Sequence, residues 1–165
     1  MVAFQIKEVK NFMARLFKQD DFDAFAVKEG QVQTAAGFTI NGHRSHDFYT
    51  PEELEELSEP DFMLWAELKP LVFALIRGAK TPQMLNIVLQ LTKENVQVVL
   101  VDSGAKLAVE EIAGAYLNVK FQAGELMVVT GVGFHSFVMD KTFEREFDGW
   151  VKKFLVGRGI AFDEM

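Results

Sequence analysis

The sequence predicts an α+β fold built from a unit that occurs twice: one strand, one helix, then three to four strands. Three observations lead there. Apolar residues alternate with polar ones over short stretches, as strands require, and recur at helical spacing over longer ones. The order of these stretches in the first half of the chain returns in the second. Apolar residues make up 49% of the 165 positions, with 16 Phe among them, enough to fill a core between sheet and helices.

The elements follow in order. In VAFQI, Val2, Phe4 and Ile6 alternate with Ala3 and Gln5, which predicts a strand. From Lys7 the period changes: Val9, Phe12, Met13, Leu16 and Phe17 form the stripe of an amphipathic helix, stopped by KQDD. Short strands come next. FDAFAVK and QVQT flank Glu29-Gly30, a turn signal, and Gly37 punctuates TAAGF. FTI leads into Asn41-Gly42, a strong two-residue hairpin signal, so HRSHDFY is expected to be the returning strand. Thr50, Pro51 and Glu53 then supply an N-cap, a first-turn proline and the acid of a capping box. A second helical stretch runs through DFMLWAELKPLVFALIRG. Its apolar residues lie nearly all round, which predicts burial, and Pro70 is expected to kink or split it.

The second half begins with MLNIVLQL, a strand with Leu85, Ile87, Leu89 and Leu91 on one face. TKENVQVVLVDSG fits two states. Thr92 can cap a helix, Val96, Val99 and Leu100 have helical spacing, and Gly104 can close it; the β-branched run VQVVLV suits a strand. Its place in the recurring order favours the helix. VEEIAG gives a short helical turn. AYLNVKFQ, LMVVT and GFHSFVM read as three strands, the first two joined by a turn at Ala123-Gly124-Glu125. Asp140 caps a last helix whose stripe is Phe143, Phe147, Trp150, Val151 and Phe154, ended by Gly157.

The expected organisation is one domain, 1–165. Two pseudo-repeats, 1–49 and 83–139, are joined by a helical insert at 51–78 and followed by a helix at 140–157. At residue level, Thr34, Gly37 and Phe38 match Thr130, Gly133 and Phe134, and Gly30 matches Gly124. A strand–helix–multi-strand unit occurring twice resembles a domain of the DNA sliding clamps. The stretch YLNVKFQAGELMVVTGVGFHSFVM is similar to the clamp segment in which three strands follow one another through a tight turn and a glycine-containing turn. The helices at 51–78 and 140–157 depart from that pattern, and clamp subunits carry two or three such domains. The whole chain also resembles an uncharacterised family of small Firmicutes proteins, which implies no activity.

Bulk composition narrows the function. The net charge of −7 opposes a general attraction to nucleic acid. There is no cysteine, so disulfides and thiolate metal sites are excluded. The longest apolar run, LVFALI, is too short to span a bilayer, and the charges near the start come too early for a signal peptide. A cytoplasmic protein is expected, with no membrane association.

Candidate chemistry is sparse. His43 and His46 stand three apart beside Arg44 and Asp47. On a returning hairpin strand they point to opposite faces, so they do not share an ion, and no metal or cofactor is expected. No nucleophile elbow, P-loop or dinucleotide-binding glycine pattern is present, and no catalytic residue is assigned. One local charge pattern stands out. The first helix carries Lys7, Lys10, Arg15 and Lys18 against the single acid Glu8, a basic face on an acidic protein. In clamps the corresponding helices face DNA. The resemblance makes these four the candidate nucleic-acid-binding residues. The expected function is a non-catalytic protein-interaction module, with a protein partner or self-association and nucleic acid as a further partner. A small-molecule binding protein and an enzyme of unrecognised type remain as alternatives. The interaction module predicts an exposed apolar groove.

Overall fold

A computed structural model describes residues 1–165. Its elements are β1 (Ala3–Ile6), α1 (Val9–Phe17), β2 (Ala26–Gln33), β3 (Gly37–Asn41), α2 (Pro51–Glu56), α3 (Trp65–Ile76), β4 (Met84–Gln90), α4 (Lys93–Ser103), β5 (Ile112–Gln122), β6 (Glu125–Phe134), α5 (Thr142–Gly157) and β7 (Phe162–Glu164), with 3-10 turns at His46–Phe48 and Val109–Glu111. The α+β class is as the sequence predicts. All seven strands join one antiparallel sheet in the order β3-β2-β4-β5-β6-β1-β7.

Alternation along the strands decides which face is covered. In β4, Leu85, Ile87 and Leu89 are buried while Met84, Asn86 and Val88 are half-exposed; β5 buries Leu117, Val119 and Phe121 in register with them. Helix stripes close over that face: Phe12, Leu16 and Phe17 from α1, Val96, Val99 and Leu100 from α4, and Phe143, Phe147, Val151 and Leu155 from α5. Together they form one cluster of 30 buried apolar residues. The other face keeps polar side chains such as Asn118 and Lys120, with the Lys28 ammonium 4.5 Å from the centre of the Tyr116 ring.

Local signals translate well. Thr50 Oγ1 accepts from the Glu53 amide at 3.2 Å and Glu53 Oε1 from the Thr50 amide at 2.9 Å, the reciprocal cap that starts α2. Residues 93–103 are helix: Thr92 accepts from the Asn95 amide and Gly104 ends the element in the left-handed region, φ 68°. Lys141, not Asp140, is the N-cap of α5 and caps with no side-chain bond; Asp140, one residue earlier, accepts from the Thr142 amide at 2.9 Å. Ala123 (φ 54°) and Gly124 (φ 79°) make the tight turn between β5 and β6.

Four further expectations are corrected. Asn41-Gly42 is not a hairpin turn. β3 pairs with β2, and the Gly42 amide continues that ladder by donating to the Lys28 carbonyl at 3.0 Å. The glycine is required for space: a Cβ there would lie 1.8 Å from the Val27 carbonyl oxygen. Residues 43–49 bridge to Phe62 and enter a 3-10 turn instead of forming a strand. Second, Glu29-Gly30 is no turn. β2 runs through it with a register shift between Val27 and Glu29, and the turn falls at 34–36. Third, residues 135–141 form no strand, because β6 already extends from Glu125 to Phe134, and the unassigned tail instead supplies β7. Fourth, α3 is neither split nor wholly buried. Pro70 lies in its second turn, where it forfeits only the bond to the exposed Ala66, and the helix continues. With the sheet face already covered, only Trp65 and Val72 of α3 are buried.

The strand–helix–strand–strand order does recur, as β1-α1-β2-β3 and β4-α4-β5-β6. The pairing does not recur with it. β4 lies beside β5, whereas β4, β5 and β6 separate β1 from β2. The matched residues also fall on unlike positions. Thr34 to Ala36 form the turn before β3, which Gly37 opens, while Thr130 to Gly133 lie inside β6; Gly30 is mid-strand, while Gly124 is a turn. Residues 51–78 do supply an added helical insert, as α2 and α3, and 140–157 supply α5.

Candidate functional site

The first helix and the apolar helix α3 lie side by side. Phe17 brings them together: its ring centre is 5.5 Å from that of Trp65 and 5.7 Å from that of Phe73. Trp65 Nε1 donates to the Leu16 carbonyl at 2.8 Å, fixing the start of α3 to the end of α1. The Lys69 ammonium reaches the Gln19 carbonyl at 2.9 Å and Asp23 at 2.5 Å. Between the two helices lies a groove, and ligand sites are commonly clefts of about 300 to 1,000 Å³. The groove observed here has a volume of 600 Å³ and opens widely to solvent. Val9, Met13 and Phe17 form one wall, Phe73 and Ile76 the other, and Phe121 of β5 the floor.

Lys10 and Lys18 also line this groove. They are exposed, eight positions and about 12 Å apart along α1. Neither takes part in an ion pair. The other two candidate basic residues are engaged elsewhere. The Lys7 ammonium is 3.1 Å from Asp163 on β7, and Arg15 Nη1 is 3.4 Å from Asp21 and 3.3 Å from Gln19. The structure therefore divides the expected basic face, with two cations bordering an apolar groove and two held by acids of the same chain. All-round hydrophobicity predicts that helix 61–77 is buried, with a small-molecule pocket near it as one alternative, whereas the structure leaves Leu71 exposed and puts Phe73 and Ile76 on an open groove. The available signal was the absence of any polar face on 71–76.

The segment that holds the two histidines is organised around Arg44. His43 Nδ1 lies 2.8 Å from Asn41 Oδ1, with its ring 4.7 Å from that of Phe62. His46 Nε2 lies 3.0 Å from the Pro60 carbonyl and 3.3 Å from Asp61. Between them Arg44 turns inward and donates to the Glu59 and Phe62 carbonyls, the Tyr49 hydroxyl and both Glu67 oxygens. The hydrogen bond from Arg44 holds the Glu67 carboxyl below its ordinary range, and Glu67 in turn raises Arg44. Every donor of Arg44 is used within the fold, so its role is to brace the segment.

A family model described as a family of unknown function (DUF5721) matches residues 15–163, and the chain belongs to that family. No curated protein and no solved structure matches it. No helix is long and apolar enough to cross a membrane.

Proposed function

We propose that the protein is a non-catalytic interaction module whose α1–α3 groove receives an amphipathic helical segment of a partner protein, apolar on one side and acidic along its border. The observation that carries this is the pairing of an open apolar trough with two unpaired lysines, Lys10 and Lys18, on its rim. An apolar groove takes the i, i+3, i+4 and i+7 side chains of a helix, and flanking cations select acidic neighbours to those anchors. The side chains of Met13, Phe73 and Ile76 suit such a surface, being only partly buried in the free protein. Residues 1–165 act as one domain in this proposal, since the core cluster draws on Phe4 and Phe12 as well as on Leu85 and Val128. The setting is cytoplasmic, and the absence of cysteine is compatible with a reducing compartment.

The test uses two fluorescent helical peptides with the same apolar residues, one with acidic and one with basic flanks. The acidic peptide is expected to bind and to weaken as salt is raised. Phe73→Asp is expected to abolish binding, and Lys10→Glu with Lys18→Glu to reverse the preference. Indifference of binding to Phe73→Asp sinks the proposal. Salt-sensitive binding of DNA, lost on Lys10→Glu with Arg15→Glu, would replace it with the nucleic-acid role. Concentration-dependent self-association, removed by Phe73→Asp, would make a second copy the occupant.

A further inference from the structure

A second concavity of 380 Å³ lies at the end of the sheet, and it shares no lining residue with the groove. It forms where β4 runs into α4 and β5 begins. Leu91 and Ile112 supply apolar wall, and Phe62 closes one side from the segment before α3.

Two polar side chains in it are almost wholly enclosed. Glu59 is 5% exposed and Gln90 is 7% exposed. The Gln90 carboxamide makes no hydrogen bond within the protein. No other side chain hydrogen-bonds the Glu59 carboxyl; the nearby Lys93 ammonium favours its charge but lies closest to Asp61, at 3.6 Å. Backbone amides of Asp61 and Lys93 favour its ionised form, but burial, first, and the Asp61 charge outweigh them and raise its pKa. With no partner inside the protein, the Gln90 carboxamide has only solvent or a molecule held in the cavity to bond.

The charge balance says what would satisfy them. Lys93 is shared between Asp61 and Glu59, and neither Glu59 nor the exposed rim residue Glu110 forms an ion pair of its own. We infer that this cavity binds a small organic cation, a protonated amine or amidinium on an apolar body. Glu59 takes the charge, the Gln90 carbonyl oxygen accepts a second N–H, and Phe62 and Ile112 hold the body. A cation there replaces lost hydration with a charge-assisted hydrogen bond, the strong kind. Nothing in this depends on the groove, and the two sites are tested separately.

Benzamidine, benzamide and benzoate share one ring and differ in charge, which makes them suitable probes. Each is titrated into the full chain by calorimetry, with ring-proton saturation transfer as a second readout. Benzamidine is expected to bind at least about tenfold more tightly than benzamide, with benzoate not binding. Glu59→Gln is expected to remove that preference. Ala113→Phe, at an exposed position in the mouth, is expected to block binding while leaving the thermal transition in place. If Glu59→Gln does not fold, Ala113→Phe decides. Equal binding of benzamide, no effect of Ala113→Phe, or no benzamidine binding at millimolar concentration overturns the inference.

Discussion

Arg44 and Glu67 meet as a two-pronged ion pair, with Nη1 3.1 Å from Oε1 and Nη2 2.8 Å from Oε2. The arginine side chain is 1% exposed and the carboxylate 36%. Glu67 also accepts from the Leu64 amide at 2.8 Å, so the same residue caps α3 and anchors Arg44. Through this pair the segments 43–49 and 59–63 are tied to the helix that forms one wall of the groove.

Removing one partner leaves the other charge desolvated and alone. Glu67→Ala is expected to lower unfolding stability by about 3 kcal/mol, the lower end of the usual range because the carboxylate is partly solvated. Arg44→Lys is expected to lose most of the same energy, since an ammonium cannot make the fork. Urea unfolding monitored by tryptophan fluorescence reads both. A change within error for Glu67→Ala contradicts the bracing role.

The pH dependence has two opposing parts. Glu67 titrates below its ordinary range because Arg44 hydrogen-bonds its charged form. Its contribution is present above the ordinary Glu range and is lost as the pH falls through the depressed value. Glu59 titrates above its ordinary range, mainly through burial. The folded state then holds its proton more tightly than the unfolded chain. Stability falls as the pH rises from the ordinary Glu range through the raised value. Glu59→Gln is therefore expected to melt higher than wild type near neutrality, with the difference shrinking in acid. Thermal melts across a pH series check this, and parallel curves count against a raised Glu59.

Gly42 tests a packing requirement. A methyl group there meets the Val27 carbonyl at 1.8 Å, and backbone cannot swing aside as a side chain can. Gly42→Ala is expected to cost at least about 3 kcal/mol. Gly131, inside β6, has nothing nearer than Asn118 at 3.9 Å, so Gly131→Ala is expected to stay within about 1 kcal/mol of wild type. Chemical denaturation of the two variants side by side makes the comparison.

Adjacent positions on α3 separate its two faces. Val72 is fully buried and Leu71 is 56% exposed. Val72→Ala is expected to cost about 2 kcal/mol through lost transfer and cavity terms. Leu71→Ala is expected to change stability by less than about 0.5 kcal/mol. A large loss for Leu71→Ala in the isolated chain would mean that α3 is covered on both sides.

What the sequence disclosed follows the range of the forces involved. Thr50 and Glu53 cap α2 from three residues apart, and the stripe Phe143, Phe147, Val151 lies on one face of one helix, so both are readable locally. Ala123 and Gly124 announce their turn for the same reason. Gly42 misleads because its glycine answers to Val27, fifteen positions away, rather than to its own φ. Thr34 and Thr130 look alike in sequence, yet one borders a turn and the other is buried in β6, accepting from the Val2 amide at 2.9 Å. Of the site, Lys10 and Lys18 were visible as charge on α1. Their apolar setting was not, because Phe73, Ile76 and Phe121 reach it only through tertiary packing. Glu59 and Gln90 carry no motif at all, and only burial distinguishes them.

The placement of β1 has a further consequence. Ala3, Phe4 and Gln5 pair in register with Val129, Val128 and Met127, so β1 has no sheet neighbour until β6 is made. Phe4, wholly enclosed in the finished molecule, therefore depends for its burial on residues more than a hundred positions away. Such a pairing closes a long loop, a contact of the high sequence separation that slows folding in general.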